Sequence, residues 1–359
     1  MIAIIADDFT GAAELAGISL RFGLTVELCL ENVSATTADV LIISTDSRSM
    51  QKAAAVYCTA DAMEAILKLE PSLVYKKIDS VLRGYVIDET KVQMELDEKI
   101  KALILPANPS LKRTISNGQY FIDGKPITET GFVNDPEFPV HSAKITEILH
   151  DETVQVLKHD DWLPVEGIVV GEAESVEDVK GWAEAIDGSW LLVGAGDFYK
   201  ALLEKTFTLQ PHHSFQLRSP HLYICGTAFN ERKEFLKGLQ DVVYMPEEIT
   251  EEWLRQACTI LKHQQKAVIA IEGSTASALS LRTTMAKAAA AIIEREGVKE
   301  IFIEGGSTAA AVLQELNIKK LTPVNELQRG VVRMEANGIF ITVKPGSYQL
   351  PADIIKLYS

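Results

Sequence analysis

The sequence predicts an α/β protein of two domains, each a mainly parallel sheet flanked by helices. Three observations predict it. Short apolar β-rich runs alternate with helix-period runs along most of the chain, the pattern of strands joined by crossover helices. The 359 residues exceed one ordinary hydrophobic core. The alternation also stops at TLQPHHSFQLRSP, residues 208–220, and then restarts.

In chain order, IAIIA leads into the helical GAAELAGISLRFG. TVELCL and VLIIST follow, and then a helix through AAAVYCTADAMEAILKLE. LVYKKID precedes a helix near 84–98, and ALILPA closes this series. The strands are apolar throughout rather than alternating, as expected for a parallel sheet covered on both faces. Residues 110–140 break the rhythm with Gly, Pro, Asn and Asp; QYFIDGKPI reads as a hairpin turning at Asp123-Gly124, within a long excursion. VEGIVVGEAESVEDVKGWAEAI and WLLVGAGDFYKALLEK are two more α/β units. Two prolines and no apolar periodicity make 208–220 the linker, so the domains are expected at 1–207 and 221–359. The second contains HLYICGTAFNERKEFLKGLQ, AVIAIEGS, an alanine-rich core helix around 286–294 and IFIEGGSTAAAVLQEL. A hairpin turning at Asn337-Gly338 closes it.

Composition excludes several classes of function. With 47% hydrophobic and 24% charged residues the chain is globular, and a net charge of −15 disfavours nucleic acid and anionic membranes as partners. A small anionic ligand remains compatible, because a few cations and helix N-termini can reverse the potential locally. Cys29, Cys58, Cys225 and Cys258 form no paired motif and read as buried thiols, and the seven histidines, His212 and His213 among them, show no metal-ligand spacing. Met1 runs straight into a strand without a signal-like segment, and no run of about 18 apolar residues occurs, so a cytoplasmic location is expected.

Ligands of open α/β sheets bind beyond the carboxyl ends of the strands. In the first domain those ends carry Asp7 and Asp8, then Thr45-Asp46-Ser47-Arg48, Lys76-Lys77-Ile78-Asp79-Ser80 and Pro106-Ala107-Asn108. Carboxylates accept hydrogen bonds from sugar hydroxyls, and Arg48, Lys77 or Arg83 could clamp an acid. Each such Asp alone is equally an N-cap for the following helix; four strand ends together favour a polyhydroxylated acid. In the second domain, Gly305-Gly306-Ser307-Thr308 separates a strand from a helix start, an anion cradle by composition, with Gly226-Thr227 and Lys344-Pro345-Gly346-Ser347 as companions. No Walker A, GxGxxG or protein-kinase motif set appears. Gly194-Ala195-Gly196-Asp197 matches the GAGD of ribokinase-like sugar kinases but lies mid-chain and outside that motif's usual context.

Together IADDFTGA, YKKIDSVLRG, KRTISNGQY, ETGFVNDPEFPV, EGGST and VKPGSY, in this order over nearly the whole chain, resemble the four-carbon acid sugar kinase family. The resemblance implies an N-terminal domain that binds a four-carbon sugar acid and a C-terminal domain that binds ATP, with an active-site cleft between them. Phosphoryl transfer to the terminal hydroxyl of D-threonate, D-erythronate or a 3-oxo-tetronate would follow. Carried over by motif, Asp8, Asp79, Ser80, Arg83 and Gly84 would line the substrate site, and Thr227, Gly305, Gly306, Ser307, Thr308 and Gly346 would hold the nucleotide. GTAF at 226–229 departs from the family's GSCS, GGST from its GGET, and KPGSYQ from its KxGNFG-like turn.

Transfer with ATP and Mg2+ needs a residue to accept the hydroxyl proton. Asp8 is the first candidate and Asp79 the second, with Asp7 orienting Asp8 or capping the helix, and Lys77 or Arg83 holding the acid or the transferring group. Two other readings stay open, a ribokinase-like sugar kinase using Asp197 and a non-catalytic sugar-acid-binding protein. A homodimer is left open as well.

Overall fold

The computed structural model describes residues 1–135, 137–211, 215–227, 230–271, 277–346 and 348–358. The chain divides into two compact units, Met1–Gln210 and Pro211–Ser359. His212, His213, Phe229 and Ser347 lie outside the described residues.

Among its described residues the first unit is built on eight parallel strands. In chain order they are β1 (Ile2–Ala6), β2 (Val26–Cys29), β3 (Val40–Ser44), β4 (Leu73–Lys77), β5 (Lys101–Leu105), β9 (Gln155–Leu157), β10 (Gly167–Gly171) and β11 (Trp190–Gly194). Their order across the sheet is β2-β3-β1-β4-β11-β5-β10-β9, and every pairing is parallel. Helix α1 (Phe9–Arg21) covers one face with α5 (Val176–Ala185) and α6 (Gly196–Glu204). Helices α2 (Lys52–Leu67) and α3 (Val86–Leu96) pack together on the other. Both faces are therefore dry, and β1 and β3 are buried at every position. From β1 the chain turns one way, to β2, and from β4 it turns the other way, to β5. The sequence thus reverses direction between β1 and β4, the switch point at which such sheets open a crevice.

The irregular segment folds as a three-stranded antiparallel meander of β6 (Arg113–Ser116), β7 (Gln119–Ile122) and β8 (Lys125–Pro126). The expected turn at Asp123-Gly124 is present, both residues at positive φ, and a second such turn at Asn117-Gly118 adds a strand that composition did not reveal. A four-residue helix, α4 (Ile145–Ile148), follows it.

Among its described residues the second unit carries seven strands in the order β13-β14-β12-β15-β18-β17-β16. These are β12 (His221–Cys225), β13 (Val242–Met245), β14 (Lys266–Ile271), β15 (Glu300–Glu304), β16 (Lys320–Gln328), β17 (Val331–Ala336) and β18 (Ile339–Lys344). The first four named and β18 run parallel, while β17 pairs antiparallel with both its neighbours, turning into β18 at Asn337-Gly338 as expected. Helices α7 (Asn230–Lys237), α8 (Glu251–Gln264), α9 (Ala278–Glu296), α10 (Gly306–Glu315) and α11 (Ala352–Tyr358) complete it. Each unit has its own core, one around Ile5, Ile43 and Met63 and the other around Tyr223, Phe302 and Ile354. Cys29, Cys225 and Cys258 are buried thiols; Cys58 is only partly covered, because it lies on a surface-facing position of α2. Among the described residues no helix is long and apolar enough to cross a membrane.

Candidate active site

The carboxyl ends of β1, β3 and β4 bring Asp7, Asp8, Arg48 and Asp79 together. Asp7 stays in register with β4, its N–H donating to the Lys77 carbonyl at 3.3 Å. Arg48, in the single turn Ser47–Ser49, grips Asp7 with two bonds of 3.0 Å, Nε to Oδ2 and Nη2 to Oδ1. The same Nη2 lies 3.0 Å from Asp8 Oδ1, and Nη1 lies 3.7 Å from Asp79 Oδ1. One guanidinium thus ties three strand ends. Gly84, at φ 95°, passes over this pair; a Cβ there would lie 3.5 Å from Arg48 Cγ and 3.8 Å from Asp7 Oδ2.

Asp8 is the N-cap of α1. Its side chain accepts from the Gly11 N–H at 2.9 Å and from the Thr10 hydroxyl at 2.5 Å, which satisfies one of the helix's free donors. The two neighbouring carboxyls differ in charge behaviour. Burial pushes Asp7 up to about 6 against the pull of Arg48. Burial also acts upward on Asp8, but Arg48, Lys77 and the Thr10 hydroxyl outweigh it and hold that carboxyl below its ordinary value.

Strand alternation separates the two lysines of β4. Lys76 points to the α3 face and forms a buried ion pair with Glu89. Lys77 points to the α1 face, where its Nζ donates to the Ile78 carbonyl at 2.9 Å and lies 3.5 Å from Glu14. Asp79 accepts a two-pronged bond from Arg83, 2.9 Å and 3.0 Å, and the N–H groups of Val81 and Arg83 at 3.3 Å. Burial opposes ionisation there, yet Arg48 and Arg83 hold its carboxyl well below the usual range. Arg83 reaches on to Asp135 at 2.9 Å and lies over the Phe132 ring. Ser80 accepts from Arg113 through its hydroxyl and from Tyr120 through its carbonyl, at 2.6 Å in the second case.

Arg113, Tyr120 and Asp135 come from the irregular segment, where no periodic pattern marks a residue as facing a strand end. The available signal was their place in KRTISNGQY and in FVNDPEF, segments that the resemblance already covered. Asp197 serves a different purpose from its neighbours. It lies in the first turn of α6, its carboxylate accepts from the Ser110 N–H at 2.9 Å and the Ser110 hydroxyl at 2.6 Å, and its own N–H donates to Asn108 Oδ1 at 3.1 Å. It fastens the 108–112 turn to the end of β11.

In the second unit, Gly305 to Thr308 join β15 to the N-terminus of α10, Gly305 at φ 108°, a conformation that favours glycine. Gly226, after β12, comes so close that a Cβ would sit 2.0 Å from Thr308 Oγ1. Thr308 is buried and Ser307 exposed, while Thr227 and Gly346 are partly covered at the ends of β12 and β18. Beneath the turn lies a cluster that sequence reasoning missed. Buried Glu304 accepts from Arg232 Nε at 2.8 Å and from the Tyr223 hydroxyl, and pairs with Lys344 Nζ at 2.9 Å. Lys344 also donates to the carbonyls of Pro345, at 2.7 Å, and Tyr348, at 2.5 Å, fastening the closing turn. Glu304 reads in sequence as one more strand residue before a glycine turn, and only its burial reveals it.

Comparison with known proteins matches both units. A family profile described as a sugar-binding N-terminal domain covers residues 2–202, and one described as a nucleotide-binding C-terminal domain covers 239–348. The chain belongs to the four-carbon acid sugar kinase family. Relatives of this kinase include D-threonate kinase of Salmonella typhimurium, 27% identical over 86% of this chain and 85% of that one. D-erythronate kinase of Heliobacterium modesticaldum is 28% identical over 51% and 43%, and 3-oxo-tetronate kinase of Pseudomonas savastanoi is 23% identical over 97% and 94%. A solved structure of a Haemophilus influenzae protein shares the fold with a TM-score of 0.76 at 18% identity, covering 99% of this chain and 98% of that one. The kinase is therefore a phosphotransferase with an alcohol group as acceptor.

Proposed function

We propose that the kinase transfers the terminal phosphoryl group of ATP to the 4-hydroxyl of a four-carbon sugar acid such as D-threonate, D-erythronate or 3-oxo-tetronate. The observation that carries this reading is the convergence of Asp7, Asp8, Asp79 and Arg48 at the β1/β4 switch point. The relatives' names supply the acceptor class.

In this reading the acceptor oxygen bonds to phosphorus as the bond to the ADP leaving group breaks, and the hydroxyl proton passes to Asp8. Asp8 is preferred over Asp79 because Asp79 already accepts from both prongs of Arg83 and two N–H groups. It is preferred over Asp7 because its side chain is 19% exposed, against 5% for the Arg48-clamped Asp7. A loose phosphoryl-transfer transition state asks more for positioning than for a strong base, so a carboxylate of lowered pKa suffices. Asp7 and Arg48 orient Asp8; Lys77, Ser80, Arg83 and Gly84 shape the acceptor side. On the nucleotide side, the N–H groups of Gly306, Ser307 and Thr308 at the head of α10 suit a phosphate, with Gly305, Gly226, Thr227 and Gly346 leaving room for close approach. Among the described residues no group of three or more His, Cys, Asp or Glu could hold a metal ion. Mg2+ enters this reading only as the companion of the nucleotide's phosphates.

A coupled ATP-consumption assay on D-threonate, D-erythronate, 3-oxo-tetronate and simple hexoses tests the reading. Turnover is expected on at least one four-carbon acid, and Asp8→Asn should lower kcat by about 10²–10⁴-fold with ATP binding retained. Turnover on hexoses alone would overturn the acceptor assignment, and near-normal turnover of Asp8→Asn would remove Asp8 from the chemistry.

A further inference from the structure

An acid acceptor needs a cation that is still able to pair with its carboxylate, and most cations at this site are committed. Arg48 is held by Asp7 and Asp8. Arg83 spans Asp79 and Asp135. Lys76 pairs with Glu89 on the far face of the sheet, and Lys77 is buried against the Ile78 carbonyl and Glu14. Arg113 differs. Its side chain donates to the Ser80 hydroxyl, and no carboxylate among the described residues pairs with it. It is nonetheless close enough to Asp79 to act on that carboxyl electrostatically.

Its placement is also firm. Asn108 N–H donates to the Arg113 carbonyl at 2.8 Å and Arg113 N–H returns to the Asn108 carbonyl at 3.2 Å, fixing the first residue of β6 to the end of β5. Two strands of the meander therefore converge on Ser80, β6 through Arg113 and β7 through the buried Tyr120. A guanidinium has five N–H donors in a fork that matches a carboxylate, and one bond to Ser80 leaves most of them for a ligand.

We propose that Arg113 is the residue that recognises the acceptor's carboxylate, and so the residue that makes this kinase select sugar acids over neutral sugars. The proposal rests on the acceptor class given under Proposed function. It replaces Arg48, Lys77 and Arg83, the sequence's candidates for that clamp, with a residue from the meander.

The test compares kcat/KM for D-threonate and D-erythronate with that for the neutral tetritols threitol and erythritol, in wild type, Arg113→Met, Arg113→Lys and Ser80→Ala. A charge-assisted pair of this kind contributes about 1.5–3 kcal/mol, so Arg113→Met should raise KM for the acid by about 10–100-fold. The acid-over-tetritol preference should collapse while KM for ATP holds. Arg113→Lys should recover part of the preference, and it serves if the Met variant fails to fold. Undiminished preference in folded Arg113→Met, or in Arg113→Lys where the Met variant does not fold, would sink the assignment, and so would Ser80→Ala reproducing the full loss, since Arg113 would then act only through Ser80. A wild type that turns over neutral acceptors alone would instead fail the sugar-acid reading itself, and this proposal with it.

Discussion

Asp7 and Asp8 are neighbours in sequence with opposite electrostatic fates, and the difference comes from which one the helix uses. Asp8 caps α1 and so gains a backbone N–H and a hydroxyl as donors; Asp7, one residue earlier and just past the end of β1, faces burial with Arg48 as its direct relief. Because burial raises Asp7 to about 6 from 3.8, the folded chain binds a proton there more tightly than the unfolded chain does. Stability attributable to this group therefore falls as pH rises from about 4 to about 6 and stays low above that. The full difference is about 3 kcal/mol. Asp7→Asn removes this dependence, so its stability relative to wild type should climb across that window, as read by denaturant unfolding at pH 4.5, 6 and 8. A difference that is flat with pH, or that falls, would show Asp7 to be fully ionised throughout. Asp7, Asp8, Asp79 and Arg48 were legible in the sequence because each follows an apolar strand, and strand ends are where such sheets bind. Arg113 and Asp135 were not, since residues of an irregular segment carry no periodic mark of the direction they face.

At the scale of elements, the contrast is between strands that announce themselves and turns that do not. Apolar runs gave the parallel sheets and the Asp-Gly and Asn-Gly pairs gave two hairpins, because burial on both faces and positive φ leave strong compositional traces. The fit between the β12 and β15 turns leaves none. Gly226 reads as an ordinary glycine, yet its Cα sits where any side chain would run into Thr308, 2.0 Å from Oγ1 and 2.7 Å from Cβ. Thr308 cannot yield easily, since it lies buried in the first turn of α10, whose entry at Gly305 is tied by its N–H to the Lys344 carbonyl at 2.9 Å. Gly226→Val should therefore shift the head of α10, cost about 1–3 kcal/mol through overpacking and raise KM for ATP by more than tenfold. Steady-state kinetics with calorimetric titration of nucleotide checks this. A variant of normal ATP affinity would show that the contact between the two turns plays no part in holding the nucleotide.

For the whole molecule, each unit owns a sheet and a core, and the proposed site residues divide the same way, Asp7 to Arg113 in the first and Gly226 to Gly346 in the second. The buried charges are likewise settled locally, Arg48 among the aspartates of the first unit and Glu304 between Arg232 and Lys344 in the second. Neither set needs a partner from the other unit to be neutralised, so binding at one should survive damage at the other even though turnover needs both. In the intact chain, Gly226→Val should lose the ATP-induced rise in melting temperature and keep the rise produced by the preferred sugar acid. Arg113→Met should do the reverse, because a ligand stabilises only through the site it occupies. In the coupled assay both variants should turn over slowly at substrate concentrations that suffice for wild type, Gly226→Val through its KM for ATP and Arg113→Met through its KM for the acid. If folded Gly226→Val loses the sugar-acid shift as well, the acid site depends on the nucleotide unit for its formation, and the division of labour drawn from the two separate cores fails.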